Sequence, residues 1–233
     1  MISGGDRVQS RSPTIRVRAK GKLACFSRPE FKVERVSYPV MTPSAARGVV
    51  EALLWKPAIR WHIERITLLA PIIYIGFRRN EVNSKIPHIS SRLIEEGGSL
   101  SPYYCDSDRS QRNTIALKDV DYLVEAHFTM TEKAGKGDNI LKFTEMFQRR
   151  LEKGQCFHRP YLGCREFDAD VSAPDGSECP QSITQDIGLM LWDIAFSPTG
   201  NIPLFFPARL ENGIMEIPLE IWDGVVSGQG PSS

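Results

Sequence analysis

From Tyr122 to Met130 the side chains alternate without a break. Tyr122, Val124, Ala126, Phe128 and Met130 fall on one side, and Leu123, Glu125, His127 and Thr129 on the other. A two-residue period is the signature of a strand with one face in a core. Such a strand needs partners along its edges and an apolar layer against its inner face. The sequence supplies both. Ile15, Val17 and Ala19 alternate with Arg16, Arg18 and Lys20, and Ile59, Trp61 and Ile63 alternate with Arg60, His62 and Glu64. These read as two more half-buried strands, the first with a basic outer face. Thr42 is a good N-cap for a helix whose first turn holds Pro43, whose missing N–H costs nothing there. Ala46, Val49, Val50 and Leu53 give that helix one apolar stripe, and Pro57 stops it. A second helix is capped by Asp138 or Asn139, buries Ile140, Phe143, Phe147 and Leu151, and leaves through Gly154.

With a further strand over 162–167, the order is β-α-β-β-α-β. That is the split βαβ, ferredoxin-like arrangement, which also underlies RNA-recognition modules. Strands over 188–196, 203–210 and 214–217 follow, the last two joined by the turn Glu211-Asn212-Gly213. The expected class is therefore α+β, a ferredoxin-like (RRM-like) domain followed by a smaller antiparallel β region. The expected bounds are a disordered tail at 1–13, the ferredoxin-like domain at 14–167, a β-rich region at 168–225 and a second tail at 226–233. The first domain is interrupted by a polar, turn-rich insertion over 78–118, with no obvious element and room for an irregular hairpin. The β-rich region opens on an acidic loop at 168–182.

Composition narrows the function classes. No run of ~18 apolar residues exists, so no transmembrane helix is expected. The first residues lack the apolar core of a signal peptide, which points to the cytoplasm. Five cysteines include no Cys-x-x-Cys pair, and the closest mixed group, Cys156, His158 and Cys164, is one ligand short of a structural zinc site. No metal and no cofactor are expected. Residues 1–60 carry twelve Lys/Arg against four Asp/Glu, a charge of +8, and the remainder carries −7. Such a basic section suits a polyanion, unless the two halves neutralise each other in the fold.

The 27 residues from Phe31 to Pro57, FKVERVSYPVMTPSAARGVVEALLWKP, are more specific than any of these patterns. They closely resemble the d-type branch of the Cas-five family of type I-C CRISPR systems. Three further blocks agree with it, RRNEVNSKI from Arg78, LKDVDYLVEAHF from Leu117 and LGCREF from Leu162. The resemblance spans roughly residues 14 to 217. It implies an endoribonuclease that cuts precursor CRISPR RNA at the base of the repeat hairpin without metal. The ribose 2′-OH attacks the adjacent phosphate and leaves a 2′,3′-cyclic phosphate. The resemblance further implies that the protein keeps the 5′ handle and joins a backbone subunit and a large subunit in a surveillance complex.

That chemistry asks for a group to take the 2′-proton, a group to protonate the leaving oxygen and a cation for the phosphorane. Family members with an assigned set use a Tyr just before the Trp-Lys-Pro block and a Lys-His pair early in the second helix. Here those positions hold Leu54, Lys142 and Phe143. Lys142 is thus the candidate cation, and His158, in the connection after the second helix, the candidate proton-transfer group. The RNA-binding candidates are Lys32, Arg35, Tyr38, Arg47 and Lys56 in the first block, Arg78, Arg79 and Asn80 at the head of the insertion, and Arg165. Arginine suits phosphate and stacked bases, and Tyr38 suits either packing or base stacking. His62 and His127 lie opposite the apolar faces of their strands, where they either share an RNA-facing side of the sheet or meet solvent, the latter being the expectation. Because Leu54 and Phe143 cannot move protons, a second reading stays open, a non-catalytic subunit that binds the handle and organises the assembly. A third is duplex DNA binding through the basic face.

Overall fold

The computed structural model of the protein describes residues 11–31, 33–85, 91–95, 103–197 and 200–218. Its organising element is the 22-residue strand β5 (Arg109–Met130), which is shared by two structures. Its second half is flanked by β1 (Ile15–Ala24) and β3 (Ile59–Leu68), both antiparallel to it. The short β6 (Asp170–Ser172) adds to β1, and β9 (Ile214–Glu216) adds to β3, giving the order β6-β1-β5-β3-β9. The first half of β5 pairs with β2 (Arg35–Val36) and with β4 (Tyr74–Val82), making a two-stranded arm that continues the sheet. Two helices that frame the core, α1 (Pro43–Leu53) and α3 (Ile140–Glu152), start as the sequence requires. Thr42 Oγ1 accepts from Ala45 N–H at 3.3 Å and Asn139 Oδ1 accepts from Lys142 N–H at 2.9 Å. Between β4 and β5 lie the short helix α2 (Ser91–Glu95) and a 3-10 turn at Cys105–Asp108. A hairpin of β7 (Gln185–Ser197) and β8 (Gly200–Leu210) completes the described chain.

The strand periods decide which face is buried. Val17, Ala19, Trp61, Ile63, Tyr122, Val124, Ala126 and Phe128 point inward and meet Ala46, Val49, Val50 and Leu53 of α1 and Phe143, Phe147 and Leu151 of α3. Trp61 sits at the centre, its ring 5.2 Å from Phe128 and 4.9 Å from Phe147. Each large apolar side chain buried here contributes roughly 1.5–3 kcal/mol. On the opposite face the charges predicted to attract a polyanion find each other. Arg16 pairs with Glu125 at 2.6 Å, Arg65 with Glu125 at 2.8 Å and Glu216 at 2.7 Å, and Arg18 with Asp121 at 2.8 Å. The +8 and −7 portions of the sequence are therefore partly neutralised across strands on this face.

Four expectations need correction. Residues 162–167 turn instead of forming a strand, because Gly163 has φ +81° and Phe167 N–H donates back to the Cys164 carbonyl at 2.9 Å; the strand beside β1 is β6. The flanks of the 78–118 insertion are regular, with Tyr74 to Val82 in continuous register against Leu117 to Arg109. Beyond Phe77 and before Thr114 the residues are nearly all polar, so no apolar period marks the outer part of the arm. Residues 11–13 are tied to the sheet, since Ser12 exchanges two 2.9 Å hydrogen bonds with the Phe128 backbone. The 168–225 region is not set apart. It places β6 and β9 in the main sheet and Met190, Trp192, Phe206, Ala208 and Leu210 in the main core. The 211–213 turn forms as expected, with Asn212 at φ 51° and Gly213 at φ 76°. Residues 1–10 and the tail at 226–233 lie outside the described residues. Among the described residues no helix is long and apolar enough to cross a membrane.

Candidate functional site

The candidate residues fall on the carboxyl end of α1 and at the two ends of α3. Leu54 closes the helix, and its side chain is fully buried. The backbone then turns outward, so that Trp55 is half exposed and Lys56 is exposed. The start of α3 lies alongside. Lys142 projects from its first turn, with Nζ 2.9 Å from Asp138 Oδ1 and 5.7 Å from the centre of the Phe143 ring. The ammonium of Lys142, hydrogen-bonded to Asp138, holds that carboxyl below its ordinary range, with a smaller contribution from Lys56. Phe143 points the other way, into the core against Phe128. Both apolar residues at the family's proton-transfer positions are thus interior.

His158 follows α3 on an exposed loop. Its backbone N–H and that of Phe157 donate to the Ala52 carbonyl of α1 at 3.3 and 2.7 Å. Its ring faces Tyr161 at 6.4 Å, and its Nδ1 lies 3.2 Å from the Arg159 carbonyl oxygen. Glu51, on the last turns of α1, has its carboxyl pushed up by burial, and Arg47 and His158 oppose the shift. Lys142 and His158 share no contact among the described residues and flank α3 from opposite ends. The third member of the closest metal-like group, Cys164, faces inward, whereas Cys156 is exposed like His158.

The RNA-binding candidates divide by exposure. Lys56, Arg78, Asn80 and Arg165 present exposed side chains; Arg78 hydrogen-bonds Gln111 at 3.4 Å. Four others are committed within the fold. Tyr38 is fully buried, and its hydroxyl accepts from Leu191 N–H at 3.1 Å, so packing and not base stacking is its role. Arg47 clamps Asp193 with two guanidinium nitrogens and ties α1 to β7. Arg35 bridges Glu81 at 3.2 Å and Glu166 at 3.3 Å, and Arg79 pairs with the same two carboxylates. Together they tie the outer half of the β4–β5 arm to the 163–167 turn. Lys32 lies outside the described residues.

That lock encloses a thiol pair. Arg35 Nη1 stands 3.3 Å from Cys164 Sγ, and Cys25 packs against the same sulfur. A hydrogen bond from the Cys25 thiol, aided by the Arg35 guanidinium, draws the Cys164 thiol below its ordinary range and pushes Cys25 up. The histidines expected in solvent are also drawn in. His127 is buried, His62 partly so, and their rings stack 5.0 Å apart. Burial, then the neighbouring His127 and Arg60, lowers His62 to about 4. His127 Nδ1 lies 2.5 Å from Glu64 Oε1.

Sequence reasoning missed two features. One is the second row of cations on the arm, Arg109 and Arg112, hidden in what read as a loop. The other is the exposed aromatic pair Trp55 and Phe157, with ring centres 6.3 Å apart, which comes from segments a hundred residues apart in sequence.

Comparison with known proteins places the chain. A family model described as "CRISPR-associated protein (Cas_Cas5)", of the d type, matches residues 14–218. A protein of Mannheimia succiniciproducens named CRISPR pre-crRNA endoribonuclease Cas5d is 46% identical over 214 residues, covering 88% of this chain and 94% of that protein. One of the same name from Thermus thermophilus is 42% identical over 224 residues, covering 88% and 92%. Among solved structures, a CRISPR-associated protein superposes with a TM-score of 0.66 at 21% identity, covering 91% of this chain and 95% of the other. A functionally uncharacterized protein from Streptococcus mutans does so at 0.65 and 20%, with the same coverage. At such identity the two structures speak to the fold alone.

Proposed function

The chain belongs to the d-type Cas5 family of CRISPR-associated proteins, and from that premise we propose that it is the precursor CRISPR RNA endoribonuclease of a type I-C system. The observation that carries this reading is its identity of 46% and 42%, over most of its length, with two proteins named pre-crRNA endoribonucleases. It cuts at the base of the repeat hairpin without metal, retains the 5′ handle and assembles with the backbone and large subunits of the surveillance complex. Its site of action is the cytoplasm.

The ferredoxin-like assignment belongs to the same proposal. What supports it is the order β6-β1-β5-β3 with every neighbour antiparallel, the arrangement a split βαβ unit produces, and the placement of α1 and α3 in the two crossovers.

In the proposed reaction the Lys142 ammonium, on an exposed first turn, meets the phosphorane as negative charge develops on its oxygens. His158 moves the proton, at the 2′-oxygen or at the leaving 5′-oxygen. Lys56, Arg78, Asn80 and Arg165 hold the backbone of the RNA. The test is cleavage of the cognate repeat hairpin in EDTA, with the product ends identified. A single cut with a 2′,3′-cyclic phosphate is expected, slowed about 10²-fold or more in Lys142→Ala and in His158→Ala. Unchanged rates in both variants would overturn the residue assignment.

Leu54 and Phe143 favour a second reading, in which the chain binds the handle and organises the assembly without cutting. Tight binding of the hairpin by the wild-type chain with no cleavage product would decide for it.

A further inference from the structure

The last turn of α1 is held by groups from three other segments. Helix ends leave carbonyls without intrahelical partners, and most such groups turn to water. Here the last three, those of Ala52, Leu53 and Leu54, are taken by groups from elsewhere. The Ala52 carbonyl accepts from the Phe157 and His158 backbone N–H groups, the Leu53 carbonyl from Arg150 Nη1 at 2.5 Å, and the Leu54 carbonyl from the Trp61 indole at 2.9 Å. Beyond them, the Lys56 carbonyl accepts from Ile59 N–H at 3.2 Å and the Pro57 carbonyl from the Thr131 hydroxyl at 2.6 Å. The backbone that carries Trp55 is therefore fixed from both sides, and the loop that carries Phe157 is pinned to it.

Both rings nonetheless face water. Trp55 is 50% and Phe157 64% exposed, although the fold buries Trp61 and Trp192 almost completely. Two large apolar rings left together on a fixed scaffold mark a contact site. Its surroundings are cationic and polar. Lys56 is exposed beside Trp55, and the His158 ring is 5.9 Å from Phe157. A flat π-face flanked by cations is the pairing that single-stranded nucleic acid requires, one part for the base and one for the phosphate.

We propose that Trp55 and Phe157 form a stacking platform for an unpaired nucleobase of the repeat RNA, held beside Lys56 and His158. The inference rests on the RNA-processing function above and adds to it a base-binding site. The platform holds a nucleotide next to the hairpin, and a stacked base fixes the register of the neighbouring phosphate. Because stacking reads a π-face, the site tolerates any base and discriminates single strand from duplex.

The experiment uses the full chain and the repeat hairpin carrying 2-aminopurine at successive unpaired positions. With the wild-type chain, fluorescence quenching is expected at one position or two adjacent ones. Trp55→Ala and Phe157→Ala are expected to abolish that quenching and to weaken binding roughly 10–100-fold. Trp55→Phe is expected to retain most of both, which separates stacking from a folding defect. The slope of log Kd against log salt stays unchanged, because no phosphate contact is lost. Wild-type binding that is indifferent to both alanine substitutions overturns the platform and leaves the proposed function intact. So does unchanged RNA affinity with weakened association of a protein subunit. Failure of the wild-type chain to bind the hairpin overturns the proposed function and this inference with it.

Discussion

Leu54 and Phe143 stand where proton-transfer side chains are expected, and the structure turns both inward. Their burial changes what a rescue experiment tests. A histidine at 143 would sit against Phe128 among apolar side chains, with no described polar partner at hand. Phe143→His is therefore expected to cost about 2–4 kcal/mol of stability, read by urea unfolding, and to give no gain in cleavage. Any proton transfer must come from groups that face water, such as His158. His62 poses the opposite case, a titratable group held neutral. Its folded value of about 4 lies below the ordinary histidine value near 6.5. Between those limits the unfolded chain binds a proton that the folded chain refuses, so stability falls as pH drops through that window. From pH 7 to pH 5 the loss assignable to His62 is about 1–2 kcal/mol. Comparing urea midpoints of the wild-type chain and His62→Asn at the two pH values checks this, and the variant should show the smaller drop.

At the scale of elements, the strands that bury one apolar face were legible in sequence and the others were not. The period-two runs at Ile15, Ile59 and Tyr122 correctly mark β1, β3 and the second half of β5. The same β5 continues back to Arg109 through Ser110, Gln111, Arg112 and Asn113, where neither face enters a core and hydrophobic alternation carries no signal. The ion pairs of the basic candidates were hidden for a related reason. Basic type says nothing of which carboxylate lies across the fold, so Arg35, Arg47 and Arg79 read like Arg78 until Glu81, Glu166 and Asp193 are in place. The 163–167 turn shows how a short element can govern a long one. Gly163 has φ +81°, and a Cβ there would overlap the Cys25 carbonyl, on the very turn that Arg35 and Arg79 grip through Glu166. Gly163→Ala is expected to cost about 3 kcal/mol or more, from strain and overlap together. Gly154, at φ +62° but with open space around it, isolates the strain alone, and Gly154→Ala should cost only about 1 kcal/mol. Equal losses in thermal unfolding would show that contact with Cys25 does not matter.

Across the whole molecule, the carboxyl-terminal region behaves as part of one cooperative unit. It supplies a strand to each edge of the main sheet, β6 on β1 and β9 on β3, so removing it would leave both edges without their partners. It also places Trp192 and Phe206 in the same core as Trp61. The β7–β8 hairpin is held to the body at two points on β7, the Tyr38 hydroxyl at Leu191 and the Arg47 clamp on Asp193. A fold joined in this way should unfold in a single transition, with calorimetric and van't Hoff enthalpies equal. Breaking the clamp tests the joint directly. Arg47→Leu leaves the Asp193 carboxylate largely buried without its partner, which should cost about 2–4 kcal/mol. If the region is one unit with the rest, that loss lowers the urea midpoint of the whole chain and leaves the slope unchanged. A second transition in the variant, with the first unmoved, would instead mean that the hairpin folds apart from the main sheet.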